Sequence, residues 1–460
     1  METTAPRILL AGTNSGCGKT TLTCALLQAL VNRGLSVGAF KCGPDYIDPM
    51  FHSQIIGAKS ANLDSFFFPG NTLRYLLAKN STGCDVSVLE GVMGYYDGLG
   101  LDSCRASTYE VAKETHTPVV LVVGAAGAAL SVLAVIQGFL SFLPDNQIQG
   151  VILNRCSPMA YPVLAEAIRQ RFGGQIRPLG YLPPMPQCAL ESRHLGLVTA
   201  AEVADLKEKM QALAQQAQQS LDIDGLLALA RTAPAVGCEP VVFPRQEPVR
   251  IGIARDKAFC FYYGDNLDAL RELGAQLVEF SPLSDAQLPD HLDGLYLGGG
   301  YPELYAAQLA ANTTMRASVR RTLAAGLPCI AECGGFMYLT SQIAEQPMVD
   351  FLPGQCYDNK KLTRFGYVTL TAKEENLLCK AGQQIPAHEF HRWDCTDPGS
   401  SFTAEKATGR RWDCAIATDR LYAGYPHFHF YANPNFVWNF YQTCRKEHLA
   451  HAGNCETCGN

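Results

Sequence analysis

The run Gly12-Thr13-Asn14-Ser15-Gly16-Cys17-Gly18-Lys19-Thr20-Thr21 combines small, flexible positions with one lysine and two adjacent hydroxyls. Residues of these types in this order can cradle a polyphosphate. Backbone N–H groups and the positive end of a following helix meet the anion, the Lys19 ammonium meets the outer phosphates, and the Thr20 hydroxyl faces Mg²⁺. Five residues separate Gly12 from Gly18-Lys19-Thr20, where the standard pattern has four. The flanks restore the reading: Arg7-Ile8-Leu9-Leu10-Ala11 has the composition of a buried strand, and Leu22, Leu26, Leu27 and Leu30 recur at helical spacing. Nucleotide binding is therefore expected of Gly12, Thr13, Asn14, Gly16, Cys17, Gly18, Lys19, Thr20 and Thr21.

Carboxylates stand where other apolar runs end. One such segment is Lys41-Cys42-Gly43-Pro44-Asp45-Tyr46-Ile47-Asp48-Pro49, and another is Leu89-Glu90-Gly91-Val92-Met93-Gly94-Tyr95-Tyr96-Asp97-Gly98. Ligands of a parallel sheet collect beyond the carboxyl ends of its strands, so Asp45, Asp48, Glu90 and Asp97 are expected to share a cleft with Lys19. Hard oxygens of this kind suit Mg²⁺ bound together with ATP phosphates. Asn154, at the end of a later apolar run, offers an amide that can read a purine edge.

A second constellation lies in the other half of the chain. Leu327-Pro328-Cys329-Ile330-Ala331-Glu332-Cys333-Gly334-Gly335-Phe336 reads as strand, tight turn and helix with Cys333 at the apex. A helix N-terminus lowers a thiol pKa, and backbone N–H groups of Gly334 and of the separate Gly298-Gly299-Gly300 turn can hold an oxyanion. In Tyr425-Pro426-His427-Phe428-His429-Phe430, an extended backbone would place His427 and His429 on one face, either of them able to activate Cys333.

These groups need two frameworks to hold them. At 460 residues the chain exceeds a single core, and its pattern restarts at Val249-Arg250-Ile251-Gly252-Ile253-Ala254. Before that point apolar runs at 37–41, 86–90, 118–123 and 150–154 alternate with helical patterns, the signature of a doubly wound α/β domain. Residues 200–231, rich in Ala, Gln, Glu and Leu, suit a helix or helix pair. The expected domains are 1–231 and 249–445, both α/β, with a proline-bearing linker at 232–248 and a polar tail at 446–460.

A net charge of -6 without a basic stripe argues against a nucleic-acid surface. The absence of a leader or a long apolar run gives the expectation of a cytoplasmic protein without a membrane span. Eighteen scattered cysteines in so long a chain read as reduced thiols, and Cys455 and Cys458 as part of a frayed end without metal.

Taken together, the phosphate loop, Lys-Cys-Gly-Pro-Asp-Tyr-Ile-Asp-Pro, Glu-Gly-Val-Met-Gly-Tyr-Tyr-Asp-Gly, Leu-Gly-Gly-Gly-Tyr-Pro-Glu, Ala-Glu-Cys-Gly-Gly-Phe-Met-Tyr-Leu and His-Phe-His-Phe resemble the cobyrinic acid a,c-diamide synthase family. The resemblance covers nearly the whole chain. It implies a P-loop synthetase domain similar to dethiobiotin synthetase, followed by a class I glutaminase domain. It also implies Cys333 as nucleophile and His427 as base, with His429 the alternative. The wider class carries Glu two residues after that histidine; His429 stands there instead, which leaves the orienting third group open. Thr20, Asp45 and Glu90 would hold Mg²⁺, Asp48 and Asp97 would face the substrate, and Gly299, Gly300 and Gly334 would form the oxyanion hole.

The implied reaction converts acetate carboxylates of a macrocycle into amides, with ATP and Mg²⁺ as cofactors, glutamine or ammonia as nitrogen source, and ammonia passing between the domains. A homodimer is one assembly open to the chain. Nickel sirohydrochlorin and hydrogenobyrinate are alternative acceptors. From another class, a nucleotide-dependent switch with a degenerate glutaminase-like binding module would account for the same loop.

Overall fold

The computed structural model describes residues 2–188 and 200–457. The chain divides into two compact units, Met1–Val241 and Val242–Asn460. In the first unit, β1 (Arg7–Gly12), β2 (Val37–Cys42), β3 (Lys59–Leu63), β4 (Val86–Glu90), β5 (Val119–Gly124), β6 (Ile148–Asn154) and β7 (Arg177–Leu182) form one wholly parallel sheet, in the order β3-β2-β4-β1-β5-β6-β7. The Val, Ile and Leu runs of its inner strands are buried on both faces, as a parallel sheet between helical layers requires. Strand order reverses beside β1, and a ligand crevice belongs at such a switch point.

Helix α1 (Lys19–Asn32) leaves that point and buries Leu22, Leu26, Leu27 and Leu30. The same core takes Met210, Leu213, Ala214 and Ala217 of α2 (Ala200–Ser220). The helical stretch expected at 200–231 is broken at Leu221 and Asp222. There the Asp222 carboxylate accepts from Gly225 N at 2.8 Å and caps α3 (Ile223–Ala230). Sequence reading passed over the two edge strands β3 and β7. An edge strand need not be apolar throughout, and Lys59, Ser60 and Asn62 of β3 mask its pattern.

The second unit contains β8 (Arg250–Ala254), β9 (Gln276–Phe280), β10 (Gly294–Leu297), β11 (Cys329–Glu332), β12 (Arg364–Ala372), β13 (Gln384–His391), β14 (Phe402–Glu405), β15 (Arg411–Cys414), β16 (Ile416–Ala417), β17 (Leu421–Gly424) and β18 (His427–Phe428). Its central sheet runs β9-β8-β10-β11-β17-β16, parallel except for β16. A second, antiparallel sheet runs β15-β14-β12-β13-β18. This sheet was not anticipated, although buried Val368, Leu370 and Ala372 alternating with half-buried Thr369 and Thr371 carry its period-two signal.

Helix α4 (Gly334–Leu339) follows β11, and α5 (Pro434–Thr457) closes the unit. The polar tail expected at 446–460 continues α5 as far as Thr457. Two ion pairs secure its first residues, Arg420–Glu447 at 2.6 Å and His448–Asp293 at 3.1 Å. Cys455, read as part of a frayed end, falls within α5, and Cys458 lies outside the described residues. Among the described residues no helix is long and apolar enough to cross a membrane, and no group of three or more His, Cys, Asp or Glu is gathered to hold a metal.

Candidate active site

In the first unit the phosphate loop joins β1 to α1 as the sequence predicts. Gly12 and Gly18 are required sterically. A Cβ on Gly12 would lie 2.5 Å from Cys17 Sγ and 2.8 Å from Lys19 Nζ, while Gly18 has φ +93° and faces Asn154 Nδ2 at 2.0 Å from an ideal Cβ. Lys19 is buried, which lowers its pKa, and its ammonium donates to the carbonyls of Met93 and, at 3.4 Å, Asn14. Thr13 and Asn14 lie at the exposed tip, bonded Oγ1 to Oδ1 at 2.9 Å. Cys17 is buried, and Thr21 sits half-buried in the first turn of α1.

The Thr20 hydroxyl donates to Glu90 Oε1 at 2.7 Å. Glu90 is the centre of a buried cluster: Lys41 Nζ donates to it at 2.9 Å and also to Asp48, and His52 Nε2 stands 3.3 Å from its other oxygen. Burial acts to raise the Glu90 pKa, but Lys41, His52 and Thr20 together outweigh it and hold the carboxyl below its ordinary range. Lys41 is displaced upward, because Glu90 and Asp48 outweigh the effect of burial. Asp48 is pushed up to about 6 by burial and by Glu90, against the pull of Lys41. Two carboxylates around one ammonium leave a negative centre below the phosphate loop. Sequence reading gave no role to Lys41 or His52, which gather on Glu90; the available signal was a lysine near the end of an otherwise apolar strand.

Two expected site residues are engaged locally. Asp45 Oδ1 accepts from Ile47 N at 2.8 Å and Asp48 N at 3.2 Å, and Asp97 Oδ2 accepts from Gly94 N at 2.8 Å. Asn154, read as a purine-facing amide, donates to Cys17 O at 2.7 Å and braces the phosphate loop.

In the second unit Cys333 stands between β11 and α4 with φ 48° and ψ -102°. Such a conformation costs a non-glycine residue on the order of 1–3 kcal/mol and persists only where its surroundings impose it. Here Cys333 N donates to Gly424 O at 2.7 Å and Met337 N donates to Cys333 O at 2.9 Å, fixing the turn to β17 and to α4. A Cβ on Gly334 would lie 3.1 Å from Gly300 N, and one on Gly299 only 2.5 Å from His427 Cε1. The three proposed oxyanion-hole glycines therefore lie against the nucleophile turn and its histidine.

The Cys333 side chain lies close enough to His427 to act on its titration, and His427 Nδ1 lies 3.1 Å from Glu332 Oε2. Burial lowers its pKa, but the thiol and Glu332 together push it up to about 10. The ring stacks on His388 with centroids 5.2 Å apart, and His388 is held well below its ordinary value by burial and by His427. Glu332, the residue before the nucleophile, thus occupies from the other side the orienting position that His429 cannot fill. Sequence reading missed it. An acid adjacent to the elbow cysteine was the signal.

The two histidines meet different partners: β18 ends at Phe428, His429 is still extended, and a 3₁₀ turn follows at Phe430–Ala432. His429 Nδ1 accepts from Tyr431 N at 3.3 Å, its Nε2 stands 4.0 Å from Asp265, and its ring packs on Tyr263.

Comparison with known proteins agrees with this division of labour. Residues 8–197 match the CobQ/CobB/MinD/ParA nucleotide binding domain, and residues 250–435 match the CobB/CobQ-like glutamine amidotransferase domain. The cobyrinate a,c-diamide synthase of Priestia megaterium is 39% identical over 456 residues, spanning 95% of this chain and 97% of the relative. The synthase of that name from Salmonella typhimurium (strain LT2) is 39% identical, spanning 95% of this chain and 98% of the relative. That from Thermoplasma volcanium is also 39% identical, spanning 95% and 97%. On these full-length similarities, the chain belongs to the cobyrinate a,c-diamide synthase family.

Proposed function

We propose that this protein is a ligase of cobalamin biosynthesis that amidates the a and c acetate carboxylates of cobyrinic acid, using glutamine and ATP. The carrying observation is the Cys333–His427–Glu332 constellation in a chain that also bears the Lys19 phosphate loop and matches its relatives end to end. Cytoplasmic placement and a homodimeric assembly belong to the same reading.

Cys333 attacks the glutamine carboxamide carbon. Gly299, Gly300 and Gly334 hold the oxyanion, and His427 delivers a proton to the departing ammonia, leaving a thioester for water to cleave. Glu332 orients His427 and favours its charged form. In the first unit, Gly12, Thr13, Asn14, Gly16, Cys17, Gly18, Lys19, Thr20 and Thr21 wrap the ATP phosphates, with Asn154 bracing the loop. The acceptor carboxylate takes the γ-phosphoryl group and becomes an acyl phosphate, which ammonia displaces.

Thr20, Glu90 and Asp45 would hold Mg²⁺, which supplies charge neutralisation on the polyphosphate. A hydroxyl hydrogen-bonded to a buried carboxylate suits an ion that takes one or two protein oxygens and completes its shell with phosphates and water. Asp48 and Asp97 are assigned to the macrocycle.

Mass spectrometry of products from cobyrinic acid, nickel sirohydrochlorin and hydrogenobyrinate tests the acceptor. Diamide from either alternative but none from cobyrinate would replace it, and complete absence of glutamine hydrolysis would favour the switch. His427→Asn is expected to slow glutaminase turnover by roughly a hundredfold or more, whereas His429→Asn should mainly lower thermal stability. The reverse ranking would transfer the base to His429. Glu332→Gln removes a negative neighbour that raises His427, so the imidazolium is lost at lower pH. The alkaline limb of the glutaminase pH profile is expected to move toward neutrality, and an unmoved limb would exclude Glu332 as the orienting group.

A further inference from the structure

His427 stands at the edge of a sheet. Its strand, β18, is the last in the order β15-β14-β12-β13-β18, and among the described residues its one strand neighbour is β13, which pairs Ala387 with Phe428 and His388 with His427. Two residues of strand give a base little support. A buried strand edge also presents N–H and C=O groups that must find partners elsewhere. Phe428 and Phe430 are fully buried, and His429 between them is still extended, at φ -103° and ψ 127°.

The partner is one side chain. Asn266 Nδ2 donates to Phe428 O at 3.0 Å, and Asn266 Oδ1 accepts from Phe430 N at 2.7 Å. These two groups fix the orientation of the amide, since only its oxygen can face an N–H and only its nitrogen a carbonyl. One side chain thereby does for this edge what the peptide groups of a neighbouring strand would do. Asn266 is itself fully buried, in the first turn of the helix Gly264–Leu273, and its backbone N donates to Tyr263 O at 3.0 Å. Tyr263, which precedes that helix, lies with its hydroxyl 3.4 Å from Nδ1 of His388, the ring stacked on His427, and with its own ring 4.7 Å from that of His429. The helix start thus meets the base strand on its backbone and at both neighbouring imidazoles.

We infer that Asn266 is the positioning residue of the glutaminase base: its amide clamps the backbone just beyond His427 and so holds the imidazole against Cys333 and Glu332. That role rests on the proposed assignment of His427 as base and names what keeps it in place. Glu332 fixes how the ring turns, through Nδ1 at 3.1 Å. It does not fix where the backbone lies. A displacement of about 1 Å at a catalytic group costs on the order of a hundredfold in rate. Without the amide, Phe428 O and Phe430 N are two buried backbone groups that can regain partners only if the strand moves.

The test uses the full-length chain and glutamine. Asn266→Leu keeps the size and branching of the side chain and removes both hydrogen bonds. Glutaminase kcat is expected to fall by roughly thirtyfold or more while the KM for glutamine stays within about threefold, and ammonia-supported amidation continues at the wild-type rate. Alkylation of Cys333 by iodoacetamide at pH 7, read by mass spectrometry of its peptide, should slow by about tenfold, because a displaced His427 no longer supports the thiolate. General loosening of the unit would do the opposite, uncovering a thiol that is only 8% exposed and speeding its alkylation. Asn266→Asp keeps the accepting oxygen and loses the donor, so its kcat should fall by about three- to tenfold. That variant carries the test if Asn266→Leu melts below the assay temperature. An unchanged kcat in either folded variant, faster alkylation of Cys333, or equal loss of glutamine-supported and ammonia-supported activity would overturn the clamp. If His427→Asn retains glutaminase activity, the assignment of the base fails first; if that variant is inactive and Asn266→Leu is not, the clamp alone fails.

Discussion

Cys333→Ala is expected to reduce glutamine-supported amidation by a factor on the order of 10³ or more while ammonia-supported amidation continues at the wild-type rate. The thiol supplies the only covalent step at the glutamine carbon, and losing a nucleophile from a catalytic group acting as a unit removes nearly everything that group contributes. The acceptor is activated elsewhere, at the phosphate loop. Small size makes the variant conservative for the fold, since alanine keeps the Cβ and leaves the Cys333 N to Gly424 O hydrogen bond in place. Parallel rate measurements with glutamine and with ammonium chloride check it. Loss of both activities in a protein of normal melting temperature would show that the two half-reactions are not separable in the way assigned.

The complementary result is expected from Lys19→Ala: amidation falls by at least a thousandfold with either nitrogen source, and basal glutamine hydrolysis persists. Lys19 is buried at the start of α1 with its ammonium against Met93 O and Asn14 O, directly over the loop expected to wrap the phosphates. A developing charge on a transferred phosphoryl group is stabilised chiefly by such fixed cations, and no other lysine stands in this loop. Measuring the ATP-to-ADP conversion that accompanies ammonia-supported synthesis gives the readout. Synthesis that survives in this variant would relocate the phosphate site.

The parts legible in the sequence were those in which residue type and local spacing suffice. Gly12 to Thr21, the buried strands of the first unit and the Cys333 elbow announce themselves through glycine placement and apolar periodicity, which are short-range signals. What escaped depended on partners distant along the chain. Glu332 gains its role only because β18 brings His427 against it from 95 residues away. Lys41 was quoted within its motif without a role, since nothing local reveals that Glu90 and Asp48 converge on its ammonium. Nothing local tells His427 from His429 either: His427 meets Glu332, whereas His429, extended just before a 3₁₀ turn, stands beside Asp265 and accepts from Tyr431 N.

That Glu332 and Cys333 are consecutive, and that Cys333 is tied to Gly424 three residues before His427, has a further consequence. The three groups hang from β11, β17 and the start of β18, and the first two are neighbours inside the parallel sheet. Local opening of a protein begins at its edges and loops, while central strands separate only when the whole unit does. Glutamine hydrolysis should thus behave as an all-or-none property of its domain. It survives fraying of the periphery undiminished and disappears in the same cooperative transition that melts the central sheet.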